Sequence, residues 1–179
     1  MAEISERVFR ELVLKTLDAA LDEDYWPELM RSLAAASGGM GALIAGCSLT
    51  EPSKGLLIPG GLDADISQLF VDRYQDNPWT RATIGMRPED GAVDIASRVD
   101  RGTIRVTAFH ADVLAPQSID TMVGMNLPLG AGFDTGGVSV AFNGGSDEAP
   151  RTSVALLNLL APYLRRAIRI NLMLRQARR

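Results

Sequence analysis

The sequence predicts an α+β domain: an antiparallel sheet of five or six strands, helices gathered on its faces, and a long helix at the C-terminal end. Three observations carry this. Residues at both ends repeat apolar positions at helical spacing, the middle holds short apolar runs bounded by glycine, and the element order lacks the strict strand-helix alternation of a parallel sheet. A chain of 179 residues suits one domain with a sizeable core, so residues 1–179 read as a single domain.

The opening stretch ISERVFRELVLKTLDAAL (4–21) places Ile4, Val8, Leu12 and Leu17 near helical spacing. A second helix follows, with Asp22 or Asp24 as cap, Pro27 in the first turn and Leu29, Met30, Leu33 and Ala34 on its apolar face; Ser37-Gly38-Gly39 stops it. MGALIAGCSL (40–49) reads as a buried strand and LLIP (56–59) as its hairpin partner. Asp63 opens a helix through Ile66, Leu69, Phe70 and Tyr74, and AVDIASRV (92–99) alternates as a short edge strand. The region from Arg101 reads as helical up to Pro116, using Ile104, Phe109 and Val113 or Leu114. TMVGMNLPL (121–129) and TGGVSVAF (135–142) are rich in apolar residues and glycine, as central strands packed closely against something would be. After the turn NGGSDEAP, a long helix starts near Pro150, with a stripe at Leu157, Leu160, Leu164, Ile168 and Leu172. A sheet of this kind has room for a small-molecule cavity between one face and the connecting helices.

Hydrophobic residues make up 46% and charged ones 22%, the balance of an ordinary globular protein. No apolar run approaches the roughly 20 residues that span a bilayer, and MAEISERVFRELVLK carries charges where a signal peptide needs an apolar centre. A cytoplasmic protein without membrane partners is expected. Cys47 is the only cysteine and His110 the only histidine, so neither an internal disulfide nor the usual zinc ligand sets can be assembled, and no metal or cofactor is expected. The net charge of −4 argues against nucleic-acid binding by the body of the domain. The arginines at 165, 166, 169, 175, 178 and 179 read as the solvated face of the terminal helix, where cations favour the helix C-terminus.

A catalytic reading would make His110 a base, oriented by Asp112 or Asp120, with Ser118 or Cys47 as nucleophile. Residues two apart on a helix do not face each other, so Asp112 cannot easily hold that imidazole. GGLDAD, GAGFDTGG and NGGSDE lack the spacing of a phosphate-binding loop, and Cys47 in an apolar strand reads as a small hydrophobe. No enzyme is expected. FVDRYQDNPWT (70–80) is more informative: Phe70, Tyr74 and Trp79 around Asp76 either cover an edge of the core or line a cavity with a few polar atoms. Phe109 packs toward that cavity or the core, and Met122 and Met125 either add adaptable apolar wall or are plain core.

Four segments together resemble the N-terminal sensory domain that precedes a helix-turn-helix in LuxR-type bacterial transcription regulators, a domain of the GAF/PAS-like kind. They are YWPELMRSLAAASGGMGALI (25–44), LFVDRYQDNPW (69–79), FHADVLAPQSI (109–119) and SVALLNLLAPYLRRAIRINLML (153–174). Phe109, Asp112, Pro116 and Gln117 match the third motif; Leu160, Pro162, Leu164, Arg165 and Ala167 match the closing helix. The resemblance implies a GAF/PAS-like sheet, a small-molecule effector, and a homodimer formed partly through the terminal helices, with the stripe Leu157 to Leu172 as its seam. It also implies contact with DNA only through a helix-turn-helix that would begin where this chain stops, as expected of an excised or a stand-alone sensory domain. Tyr74, Asp76 and Pro78 look loosely like the pocket segment of acyl-homoserine lactone receptors. The further tryptophan and aspartate that hold the lactone there have no counterpart here, which argues against that ligand. The expected ligand contacts are Phe70, Tyr74, Asp76, Trp79, Phe109, Met122 and Met125. A ligand-free dimerisation module, its cavity filled by side chains, is the competing expectation.

Overall fold

The structure, a computed structural model, describes residues 4–130, 132–144 and 148–177. Part of the NGGSDEAP turn, together with Arg178 and Arg179, lies outside the described residues.

Helix α1 (Glu6–Leu21) is capped by Ser5, whose hydroxyl accepts the Val8 N–H. Helix α2 (Trp26–Ser37) follows a single 3-10 turn capped by Asp22, and it ends on Gly38 at φ 69°, the left-handed geometry that glycine adopts freely. Strand β1 (Gly41–Cys47) and β2 (Leu56–Gly60) form the expected hairpin. Helix α3 (Ala64–Arg73) is capped by Asp63. Next come α4 (Pro78–Thr83), the two-residue edge strand β3 (Val93–Asp94), α5 (Arg101–Arg105), β4 (Thr121–Asn126), β5 (Thr135–Phe142) and α6 (Glu148–Ala177).

The sheet has five strands in the order β2-β1-β5-β4-β3, every pairing antiparallel. The α+β class with a five-stranded antiparallel sheet and a long C-terminal helix therefore describes the chain. Side chains alternate across a strand, so each strand feeds two cores. Ala42, Ile44, Val123, Val138, Val140 and Phe142 point to one face and pack under α1, α2 and α6. Met122 and Ala141 belong to the opposite core, which contains Trp79, Ile104, Phe109 and Leu114.

Three readings need correction. The expected helix from Arg101 to Pro116 is broken: α5 ends at Arg105, a wide turn covers His110–Leu114, a 3-10 turn covers Ala115–Gln117, and Ser118 adopts φ 54°. Asparagine-capped α4 went unread because it is only six residues long, although Asn77-Pro78 is a cap followed by a proline at the first helical position. The α6 stripe is not left open for a partner. Leu157, Leu160, Leu164 and Ile168 are 0%, 1%, 0% and 5% exposed, buried against the chain's own sheet and helices, and Leu172 packs partly against the same core.

Candidate functional site

On the sheet face away from α6 lies a cavity of about 110 Å³. By the measure in which one water takes about 10–15 Å³, it holds roughly seven to eleven waters or a molecule of one or two rings. Its floor alternates along the strands: Leu43, Ala45 and Cys47 from β1, Met122, Gly124 and Asn126 from β4, Thr135, Gly137 and Ser139 from β5. The glycines keep the floor low. A methyl at Gly124 would meet the Ser139 hydroxyl at 2.8 Å and Ile95 at 2.9 Å. The roof is α3, α4 and the segment Phe109–Gln117.

Phe109 organises the roof. Its ring centroid lies 6.3 Å from Phe70, 6.2 Å from Tyr74 and 5.8 Å from Trp79, the last nearly edge-on at 78°. Two hydrogen bonds stitch α3 to the segment after Phe109. Gln117 Oε1 accepts the Asp63 N–H at 2.9 Å, and the Tyr74 hydroxyl donates to the Asp112 carboxylate. That carboxylate, holding the phenol proton, pushes the Tyr74 pKa up.

Asn77 builds α4. Its Oδ1 accepts the N–H groups of Trp79 and Thr80 at 2.9 and 3.0 Å, and its Nδ2 donates to the Tyr74 carbonyl and the Thr80 hydroxyl at 2.7 and 2.8 Å. Asn126 ties α4 and the following loop to the floor, its Nδ2 donating to the carbonyls of Thr83 and Met86 at 3.0 and 2.9 Å. Cys47, 4% exposed, lies 3.9 Å from the Thr80 hydroxyl, and burial pushes its thiol pKa up, so it stays protonated and poorly nucleophilic.

Of the expected ligand contacts, Phe70, Trp79, Phe109 and Met122 line the cavity. Met125 touches its edge but, three positions from Met122, belongs to the helix-covered core. Tyr74 stands behind Phe109 as a strut of the roof. Asp76 points to solvent, where Arg81 grips it at 2.5 and 2.7 Å and lowers its pKa. Thr80, Thr83, Asn126, Thr135 and Ser139 were not anticipated. Period-two spacing from Met122 reaches Asn126 and would have found that one.

No described residue lining the cavity is charged. An ion would enter at a heavy desolvation cost with nothing to offset it, so the wall suits an uncharged, mostly apolar molecule. His110 does not line this cavity, although Trp79, Leu114 and Ile119 border both it and the histidine's pocket. His110 lines a separate pocket of about 20 Å³ with Arg101, Arg105 and Asp120. Asp112 is taken up by Tyr74 and Asp120 by the Gly144 N–H at 2.7 Å, so neither orients the imidazole. Among the described residues, no group of three or more His, Cys, Asp or Glu side chains could hold a metal ion, and no helix is long and apolar enough to cross a membrane.

No known family model matches the sequence, and no curated protein matches it. Solved structures do match in shape. The chain is similar to the VqsR ligand-binding domain from Pseudomonas aeruginosa, with a TM-score of 0.65 at 17% identity over 92% of this chain and 96% of that one. It is also similar to the GAF domain of a putative sensor histidine kinase from Pseudomonas syringae pv. tomato, with a TM-score of 0.53 at 13% identity over 97% of this chain and 93% of that one. The fold is of the GAF type.

Proposed function

We propose that the chain is a small-molecule-sensing domain of a LuxR-type transcription regulator, binding an uncharged effector in the cavity and passing its occupancy to a DNA-binding module beyond α6. The carrying observation is the roofed, uncharged cavity on one sheet face, with the output helix packed on the other. Its similarity in shape to a ligand-binding domain supports the reading. The role is binding, not catalysis: the thiol in the wall is held protonated and the histidine is elsewhere.

Occupancy needs a route around the sheet, and the loop after α4 supplies one. It leaves the cavity at Thr83 and Met86, both held by Asn126, and passes the β4–β3 side of the sheet. It then meets α6 twice: Arg165 Nη2 donates to the Pro88 carbonyl at 2.6 Å, and Asn158 Oδ1 accepts the Ala92 N–H at 2.9 Å. A ligand that prefers one arrangement of the roof would thereby bias the placement of α6.

Dimerisation belongs to the same reading but to another surface. With the α6 stripe buried, a second copy would meet the exposed residues Leu14, Leu17 and Leu21 of α1 and Leu159 and Tyr163 of α6.

Cys47 supplies the test, because it is the only thiol and lies in the cavity wall. A panel of uncharged metabolites is screened for slowing of Cys47 alkylation in the folded chain. At least one compound is expected to protect it in a saturable way. Charged compounds protecting as well as neutral ones would contradict the proposal.

A further inference from the structure

The three parts of the cavity roof are held very unequally. Helix α4 is rooted: Asn126 on the floor donates to the Thr83 and Met86 carbonyls, and Trp79 and Thr80 are buried. The segment after α5 is rooted as well, with Phe109, Val113 and Leu114 buried in the core on that face. Helix α3 is not. Of its ten residues only Ser67 is buried, and that hydroxyl donates to the Asp63 carbonyl one turn back at 2.6 Å. The twelve residues of α2, by contrast, bury six. The side chains of α3 that line the cavity include Ile66 and Phe70, both half-buried. A helix with so little buried apolar contact belongs to the low-stability end of a fold.

The ends of α3 have the parts of a hinge. Gly60 is wedged against α2, where an added methyl would stand 2.5 Å from the Met30 Cβ, and Gly61 beside it has φ 84°, the left-handed region that favours glycine. Past the other end, buried Gln75 is anchored to the chain after β1. Its Oε1 accepts the Ser48 N–H at 3.1 Å and its Nε2 donates to the Pro52 carbonyl at 2.6 Å. Between these points two solvent-exposed hydrogen bonds join α3 to the neighbouring segment: the Asp63 N–H donates to Gln117, and the Tyr74 hydroxyl to Asp112.

We propose that α3 is the lid of the cavity: it swings about Gly61 and the Gln75 anchor when the Asp63–Gln117 and Tyr74–Asp112 hydrogen bonds part, and the occupant enters by this opening. The inference rests on the cavity being the ligand site, but the motion is read without a ligand. Cys47 and Met122 on the floor are buried, so a molecule reaching them has to displace part of the roof, and α3 is the part held least. Water replaces both hydrogen bonds as they break, so each opposes the opening only modestly.

Cys47 reports the opening. Its alkylation by iodoacetamide is timed in the unaltered chain, in Tyr74→Phe, in Gln117→Ala and in Leu164→Ala, and amide hydrogen exchange is followed in the same four proteins. In the unaltered chain the α3 amides are expected to exchange, and Cys47 to react, through openings far more frequent than those of the β5 and α6 core amides. Tyr74→Phe and Gln117→Ala should each raise both rates about three- to tenfold, the size of one hydrogen bond. Leu164→Ala loosens the opposite core, so it should quicken the core amides at least about tenfold and leave α3 and Cys47 unchanged. Should that variant not fold, urea decides in the unaltered chain. A lid motion exposes little surface, so α3 exchange and Cys47 alkylation should rise far less steeply with urea than core exchange does.

Cys47 and α3 keeping pace with the core amides, or an alkylation rate unchanged in both Tyr74→Phe and Gln117→Ala, overturns the inference; a compound that protects Cys47 still upholds the cavity reading in that case. If α3 opens as expected but no neutral compound of the screen protects Cys47, the cavity reading falls, and the role of α3 as its entrance falls with it.

Discussion

Gly137 shows how single residues shape the site. It lies on the cavity floor, where a methyl would stand 1.9 Å from the Met125 carbonyl oxygen, so no side chain fits without parting β4 from β5. Gly137→Ala is expected to cost at least about 1–3 kcal/mol, the usual range for overpacking. Gly85, at φ 81° with nothing within 4 Å of the added carbon, should lose only the roughly 1–2 kcal/mol of left-handed strain. Urea denaturation of both variants measures the difference; equal losses would count against the tight floor. Tyr74 gives a pH signature. Its raised pKa means the folded state holds the phenol proton more tightly than the unfolded chain does. The Tyr74–Asp112 contribution is therefore complete below about pH 10, the ordinary tyrosine value, and lost as pH rises through the raised folded value. The stability gap between the natural chain and Tyr74→Phe should close above that pH, and a gap that stays constant would refute the pairing.

Among the elements, α6 is the one whose role changes most between sequence and structure. The periodicity identified its buried face correctly, because helical spacing reveals which residues seek an apolar neighbour. It says nothing of what that neighbour is, and here it is the chain's own sheet, so a stripe expected as a dimer seam is core. Leu164→Ala should then cost about 2–5 kcal/mol of chain stability. Denaturation at several protein concentrations checks this: a loss that disappears on dilution would mean that the residue serves an interface after all. The strands were legible for a related reason, since β1 is apolar on both faces, β5 carries Val138, Val140 and Phe142 on one, and both are bounded by glycine or turn residues. The break after α5 was less so. Pro116 was read as the stop, whereas the helix had already ended at Arg105 and Thr107 had begun a new turn, its hydroxyl accepting the His110 N–H at 3.1 Å.

For the whole molecule, the two faces of one sheet separate the cavity from α6. The aromatic roof was visible in the sequence as FVDRYQDNPWT, and period two from Met122 points to Asn126, but Thr135 and Ser139 join the cavity floor only through the pairing of β5 with β1 and β4. The link between the faces depends likewise on contacts between residues some seventy positions apart, Ala92 with Asn158 and Pro88 with Arg165. If the exposed stripe on α1 joins two copies, Leu17→Glu should yield a folded monomer in sedimentation experiments at concentrations where the natural chain is dimeric. A dimer indifferent to Leu17→Glu would rule that surface out.

The central claim is that occupancy of the cavity is felt by α6. The most direct measurement is amide hydrogen exchange along the whole chain, with and without the most protective compound from the Cys47 screen, repeated in Asn158→Ala. The account predicts slower exchange in the roof, in the loop from Met86 to Ala92 and in α6 around Asn158, with the α6 response lost in Asn158→Ala while the roof still responds. Protection confined to the roof, or an α6 response unchanged in Asn158→Ala, would contradict it.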